Sequence, residues 1–469
     1  MHTTSSLQPL LVRLAAEIEV VYDRVRELPV TPAVAVDELR ALVAKCFDLT
    51  APRDAVDVMN DAAALLRDYS LQVTHPRYFG LFNPSVIPST IVADALVALY
   101  NPQTGGWTHS PAANEMERLT LQHLAGALGF AQDEVTAHFT SGGNEANHTA
   151  VVTALAHTFP DWRERGLRAL GAAPTIYLSS ESHHSFTKVA RATGLGTAAL
   201  REVPVDGSLR MRVDAAADAI ERDTEQGFRP FMLVATTGTT GSGAIDPVPA
   251  LSEVARRFGL WFHVDAAWGG AACLVPRLKS YLDGVALADS LTWDAHKWLN
   301  VPLGAGMFFC RHEEALHHAF GVETAYVPPT APGAFDLYKM SMQWSRRFIG
   351  LKVLFALAEH GSEGMGQLVG GQAEMGDLLR EKLRDAGWTI ENDTPLPLVC
   401  FSHPDLGRDE ASTKSLVSRV LARRRAWISD VALPERGWVL RACITSFRVE
   451  PADLDVLVEE IDVALGEAR

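Results

Sequence analysis

Ser290-Leu-Thr-Trp-Asp-Ala-His-Lys-Trp-Leu299 is an apolar run with strand character that ends in a carboxylate, an imidazole and an amine. Lys297 follows His296 directly, where the strand should give way to a turn. A buried amine is disfavoured as a cation, so its pKa falls and it becomes a better nucleophile. A lysine so placed makes sense if its amine has a covalent task. On its own it is no more telling than any solvated lysine, and the stretches around it decide the matter.

Moving outward, helical patterns alternate with short apolar strands from Ala113 to about Arg311. The spacing predicts strands at Val135–Thr140, Thr175–Leu178, Phe231–Ala235, Trp261–Val264, Ser290–Trp293 and Ala305–Phe309, with helices at Glu145–Thr158 and Pro249–Phe258 between them. That alternation predicts an α/β domain with a mainly parallel sheet, which binds ligands at the carboxyl ends of its strands.

Polar motifs fall at those ends. Thr140-Ser-Gly-Gly-Asn-Glu-Ala-Asn147 follows a strand and opens a helix, which suits a phosphate, although Gly-Gly turns are also common for steric reasons alone. Ser182-His-His-Ser185 could stack an imidazole on a flat ring or serve as an ordinary cap. Thr236-Thr-Gly-Thr-Thr-Gly241 with Asp246 is another polar turn, and equally a plain loop. Phe262-His-Val-Asp-Ala-Ala267 ends a strand in Asp265, which could hold a pyridine nitrogen protonated or cap the next turn. Each has a bland reading. Their order along one domain, with Lys297 last, points to a lysine-bound aldehyde cofactor, pyridoxal 5'-phosphate (PLP).

With these motifs in place the chain resembles the group II PLP-dependent amino-acid decarboxylases, which include aromatic amino-acid, histidine, glutamate and cysteine-sulfinate decarboxylases. The resemblance runs from about His75 to Glu460, through His75-Pro76, Ser110-Pro111, Ser141–Ala146, His183, Gly238–Thr240, Asp246, His263–Ala267, His296-Lys297, Arg346-Arg347-Phe348 and Leu440-Arg441. It implies the aminotransferase-like fold (fold type I), with a seven-stranded, mainly parallel sheet in the large domain and a smaller C-terminal α+β domain. It also implies that Lys297 holds PLP as a Schiff base, Asp265 pairs with the pyridinium nitrogen, Ala267 packs near the ring and His183 stacks on it. Gly142, Gly143, Asn144 and His296 lie around the phosphate or its support, with Thr240 and Asp246 near the cofactor. Arg347 resembles a buried arginine that braces the site. Arg441 resembles the arginine that receives the substrate α-carboxylate, and reads equally as half of a structural ion pair. Phe82, Asn83 and Trp107 would line the substrate pocket, some of them from a partner subunit, because sites in this family lie at a homodimer interface. Tyr326, in the Pro-rich segment Gly321–Gly333, matches the tyrosine that protonates Cα after carbon dioxide leaves.

Two positions depart from the pattern or refine it. Asp294 stands where many relatives have Asn, and a second carboxylate beside a phosphate is unfavourable unless it faces away or binds a donor. Trp268-Gly269-Gly270 resembles the glutamate and cysteine-sulfinate branch, yet no extra basic residue for a side-chain acid is evident.

Composition agrees with a large enzyme. The 469 residues, 47% hydrophobic and 21% charged, suffice for two or three domains. We expect a helical arm over 1–74, a large PLP-binding domain over 75–345 and a small domain over 346–469. A net charge of -15 without a basic patch argues against a nucleic-acid partner. Five scattered cysteines without CxxC spacing argue against a zinc site or disulfide framework and suit a reducing compartment. Charges interrupt the apolar residues of Met1–Arg24, and no apolar run reaches membrane-span length, so a cytoplasmic protein is expected. The expected reaction is PLP-dependent α-decarboxylation of an L-amino acid to its primary amine. An aldehyde synthase, an aminotransferase, a C–C lyase or a non-catalytic relative are the alternatives.

Overall fold

The computed structural model describes residues 7–131, 134–324 and 332–467. Seven strands form the main sheet: β1 Thr136–Thr140, β2 Pro174–Ser179, β3 Leu200–Val203, β4 Arg229–Thr236, β5 Trp261–Asp265, β6 Ser290–Asp294 and β7 Gly306–Cys310. Their order is β1-β7-β6-β5-β4-β2-β3. Neighbours pair in parallel from β6 to β3, whereas β7 runs antiparallel to both β6 and β1. Six strands therefore point one way, and the turns after β1, β2, β4, β5 and β6 converge on one edge.

Every residue of β5, β6 and β7 is buried. Helices cover both faces of the sheet, so these strands read as continuous apolar runs rather than as an alternation. This is why the sequence located them to within a residue or two. β3, with the sequence Leu-Arg-Glu-Val, is a short edge strand whose charged residues hid it.

A second sheet follows. Its strands are β8 Thr389–Ile390, β9 Leu398–Ser402, β10 Ser429–Leu433 and β11 Gly437–Cys443. All pair antiparallel, in the order β10-β11-β9-β8. The helices Glu410–Ala422 and Pro451–Gly466 pack on it around Phe401, Leu416, Leu440 and Leu457.

The sequence predicts two helices, Arg346–His360 and Gly366–Ala386. The structure has two helical stretches within Gly350–Asp385, separated by a kink at Gly361, which takes a left-handed φ of 65°. Glycine carries no Cβ penalty there. Before the bend Leu351 packs with Ala93, Val97 and Ala113, and beyond it Leu379 and Leu383 join the core of the second sheet. Together the two helices thus bridge the two cores.

At the N-terminal end, the helices Leu7–Ile18, Val36–Cys46 and Ala55–Tyr69 bury no residue. Arg26 ties this segment to the main body through Asp453 (3.2 Å) and the Arg448 carbonyl (2.8 Å).

Candidate active site

The turn after β1 lies against β6 and β7. A Cβ on Gly143 would come within 2.8 Å of Asp294 Oδ2, and one on Gly306 within 2.6 Å of the Gly142 Cα. Glycine at both places lets the backbone of the turn lie flat against its neighbours. The 16-residue helix Gly143–Thr158 starts here, so its first N–H groups and the positive end of its dipole face the turn. Asn144 is exposed at its start. His296 supports the seat from below: its Nδ1 accepts from the Ala305 N–H (3.0 Å), and its ring lies under Gly142. Burial, partly offset by Asp294, holds the His296 pKa below that of a free imidazole.

Lys297 sits on the single turn Ala295–Trp298, with its amine 3.1 Å from Asp294 Oδ2. Asp294 is buried, and among the described residues its Oδ1 has no hydrogen-bond partner. The same amine lies 5.4 Å from the centre of the Phe82 ring. Phe82 stacks toward Trp268, and Trp268 on Trp298, forming an aromatic wall beside the lysine.

Asp265 closes β5 and is buried. Its Oδ2 accepts from Asn147 Nδ2 (2.8 Å) and its Oδ1 from the Ala267 N–H (3.0 Å). Both donors are neutral, so the carboxylate keeps a charge available for a cationic partner. Asn147 in turn contacts His263 and Ser185, two residues that lie within the quoted motifs but were given no role of their own. The signal was present: a histidine inside an otherwise apolar strand, and an asparagine on the buried side of a helix, both need partners.

His183 lies at the end of the turn after β2, an exposed residue whose Nδ1 accepts from the Ser185 N–H (3.1 Å). Surrounding protein depresses its pKa, opposed by Asp265 and reinforced by Lys297, so both of those charges act on it. Asp246 is buried at the polar turn after β4. Its two oxygens accept from the backbone N–H groups of Met211 (2.7 Å) and Thr236 (2.8 Å), which makes it a brace for the end of β4. Thr240 contributes its carbonyl, which accepts from Arg441 Nε (3.0 Å).

Arg441, on β11, is buried. Its other contacts are the Gly80 carbonyl (3.0 Å) and Ser429 Oγ (3.4 Å), and its Nη2 has no hydrogen-bond partner among the described residues. No carboxylate among those residues lies within ion-pair distance of it, so the expected alternative, a structural ion pair, is absent there.

The bracing arginine is Arg346, not Arg347. The Arg346 side chain is 1% exposed and pairs with buried Glu117 at 3.0 Å, while its Nη2 also donates to the Phe139 carbonyl (2.9 Å) on β1. Arg347 is 59% exposed, and its side chain reaches Asp94 at 3.5 Å. Neighbours in extended chain point to opposite sides, and adjacency alone could not choose between them. Asn83 is half-buried beside Phe82. Trp107 makes its polar contacts with Glu115 (2.9 Å) and Asp336 (3.1 Å), not with Lys297 or Arg441. Tyr326 lies outside the described residues.

An amine, a buried carboxylate held by neutral donors, and an anion seat at a helix N-terminus are the groups that PLP requires. The residues present fit it.

Comparison with known proteins agrees. The model of the pyridoxal-dependent decarboxylase conserved domain matches residues 41–403. The cysteine sulfinic acid decarboxylase of Mus musculus is 29% identical over 411 residues, covering 85% of this chain and 82% of that protein. Tryptophan decarboxylase 1 of Oryza sativa subsp. japonica is 28% identical over 458 residues, 91% and 87% of the two chains. The 4-hydroxyphenylacetaldehyde synthase of Rhodiola rosea is 28% identical over 362 residues, 75% and 73%. Among solved structures, the Oryza sativa tryptophan decarboxylase with PLP and tryptamine superposes with a TM-score of 0.92 at 24% identity, over 100% and 99% of the chains, and shares the fold. Among the described residues no helix is long and apolar enough to cross a membrane. The protein is a PLP-dependent carboxy-lyase acting on an amino acid, and the chain belongs to the pyridoxal-dependent decarboxylase family.

Proposed function

We propose that the enzyme removes the α-carboxylate of an L-amino acid to give the primary amine and carbon dioxide, with Arg441 receiving that carboxylate and Lys297 holding the cofactor. One observation carries this reading. A buried guanidinium with an unpartnered Nη2 shares the Phe82 ring with the Lys297 amine.

Bound PLP supplies an electron-accepting ring for the pair released when the Cα–carboxylate bond breaks. The chain does the rest. Gly142, Gly143, Asn144 and His296 seat the phosphate. Asp265 would pair with the ring nitrogen, and a carboxylate there would favour the protonated ring. Ala267 and His183 bound the ring. Arg441 orients the scissile bond, and the aromatic wall of Phe82 and Trp268 excludes water from the breaking bond. Asn83 and Trp107 would complete the pocket mouth, some of it supplied by the second copy of the chain. Tyr326 delivers a proton to Cα. Thr240 and Asp246 hold the turn on which Arg441 leans.

Two copies pair to form the working enzyme. Support comes from the unburied arm helices within 1–74 and from an apolar groove of about 420 Å³ lined by Leu96, Tyr100, Phe348, Leu351 and Phe355. The large unit spans 75–345 and the small one 346–469, with the two helices of Gly350–Asp385 crossing between them. Free thiols at all five cysteines suit the reducing cytoplasm.

A panel of amino acids assayed for carbon dioxide release, with identification of the product, tests the reading. One substrate should give stoichiometric amine. A requirement for a keto-acid acceptor, or turnover that survives Lys297→Ala, would refute it.

A further inference from the structure

Behind Asp265 runs a buried chain of side chains with a fixed polarity. Asn147 Nδ2 donates to Asp265 Oδ2 (2.8 Å), and Asn147 Oδ1 lies 3.2 Å from His263 Nε2. His263 Nδ1 lies 2.8 Å from Ser290 Oγ, which accepts from Trp261 Nε1 (2.9 Å). All five residues are buried. The Asp265 end decides the direction of the bonds that follow it. A carboxylate only accepts and an indole N–H only donates. Asn147 must therefore turn its amide N–H to Asp265 and its oxygen to His263. That makes His263 Nε2 the protonated nitrogen and leaves Nδ1 bare to accept the Ser290 hydroxyl proton. Burial pushes the His263 pKa down to about 4, so the ring stays neutral at working pH and keeps this tautomer.

We propose that His263 is a positioning residue for Asp265: by holding Asn147 in one orientation it fixes the carboxylate that faces the cofactor ring nitrogen. A flipped Asn147 would set its oxygen against the Asp265 carboxylate and its N–H₂ against the His263 N–H, which is two repulsions in a dry interior. The same amide reaches Ser185 Oγ (3.0 Å), and the Ser185 N–H holds His183 Nδ1 (3.1 Å). One asparagine thus links the residue opposite the ring nitrogen with the residue proposed to stack on the ring, and the imidazole behind it locks both. Because the chain is neutral throughout, it steadies Asp265 without cancelling its charge. His263 touches neither substrate nor cofactor. It acts through Asn147.

The inference rests on Asp265 being the partner of the ring nitrogen, so the test carries a control for that reading. The holoenzyme is prepared with PLP labelled with ¹⁵N in the pyridine ring, and its ¹⁵N chemical shift and the PLP dissociation constant are measured for each variant. The thermal midpoint of the cofactor-free protein is recorded alongside. Asp265→Asn should move the shift toward the unprotonated ring; no movement would remove the underlying reading itself. His263→Phe should raise the dissociation constant about tenfold and move the shift in the same direction. His263→Gln can still donate to Asn147 and accept from Ser290, and should restore both to within about threefold of the parent enzyme. Ser290→Ala, which frees Nδ1 without emptying the core, should shift both readouts partway, and it decides the matter if His263→Phe does not fold. A response to Asp265→Asn together with an unmoved shift in Ser290→Ala and His263→Gln no better than His263→Phe would overturn the role of His263 alone.

Discussion

The guanidinium carbon of Arg441 lies 5.1 Å from the centre of the Phe82 ring, the same ring that the Lys297 amine faces from 5.4 Å. Two basic side chains thus lie against one aromatic ring, and among the described residues the lysine has a carboxylate beside it and the arginine has none. A substrate carboxylate supplies what the arginine lacks. Arg441→Met should lower kcat/KM by tenfold to about a hundredfold, the worth of a hydrogen bond to a charged group. Most of the loss should appear in KM, and PLP affinity should change little. Steady-state kinetics beside a cofactor titration measures both. A pure loss of cofactor would mean that Arg441 only braces Thr240 and Gly80.

Asp294 sits directly under the proposed phosphate seat, since its Oδ2 is the atom that a Cβ on Gly143 would meet. Removing a like charge there should strengthen the hold on a phosphate. Asp294→Asn should tighten PLP binding severalfold and leave pyridoxal, which lacks the phosphate, unaffected. Fluorescence titration with the two compounds separates this from any effect on Lys297, which would change both.

The contrast between Arg346 and Arg347 predicts opposite outcomes for adjacent residues. Breaking the buried Arg346–Glu117 pair strands a carboxylate in the interior, so Arg346→Met should cost about 3–5 kcal/mol of stability. Arg347→Ala, at an exposed ion pair, should stay within about 0.5 kcal/mol. Urea unfolding of the two variants gives the comparison.

Glu181 lies in the turn after β2, where burial, reinforced by the Asp246 charge, pushes its pKa up to about 7. A carboxyl raised in the folded state holds its proton better than in the unfolded chain, whose value is about 4.3. Stability therefore falls as pH rises from about 4 to 7, and the full cost of the charged form is present above that. Glu181→Gln should match the parent protein at acid pH and exceed it by about 1–2 kcal/mol at pH 8, after allowance for partial exposure. The buried imidazoles run the other way. His75 and His138, held down at about 3 mainly by burial, withdraw stability as pH falls below about 6.5, the value of an unperturbed histidine. Thermal midpoints of the cofactor-free protein across pH 5–8 test both signs.

Tyr326→Phe removes the proposed proton donor. The expected outcome is a shift from amine toward aldehyde, ammonia and hydrogen peroxide, with one dioxygen consumed per turnover. An oxygen electrode with product analysis reads it directly, and amine as the sole product would remove Tyr326 from the mechanism.

Much of this site was legible because its residues sit where a parallel sheet presents ligands, at strand ends marked by glycine or by an abrupt polar residue. Lys297, Asp265 and the Gly142-Gly143 turn are all of that kind. What stayed hidden depended on partners distant in sequence. Whether Arg346 or Arg347 turns inward follows from Glu117, and whether Asp246 meets a ligand or a backbone follows from Met211 and Thr236. Asn147 and His263 looked like ordinary helix and strand residues until β5 and the helix after β1 were packed together. β10 was missed because no more than its last residue, Leu433, is buried.

The position of β7 has a consequence for biosynthesis. β1 has no partner in the sheet except β7, which is the last of the seven strands to leave the ribosome. Until residue 310 has emerged, the turn at Gly142 hangs on an unpaired strand. A nascent chain stopped short of Gly306 should therefore expose a sticky edge and retain no coenzyme, however much of the remaining domain has already folded.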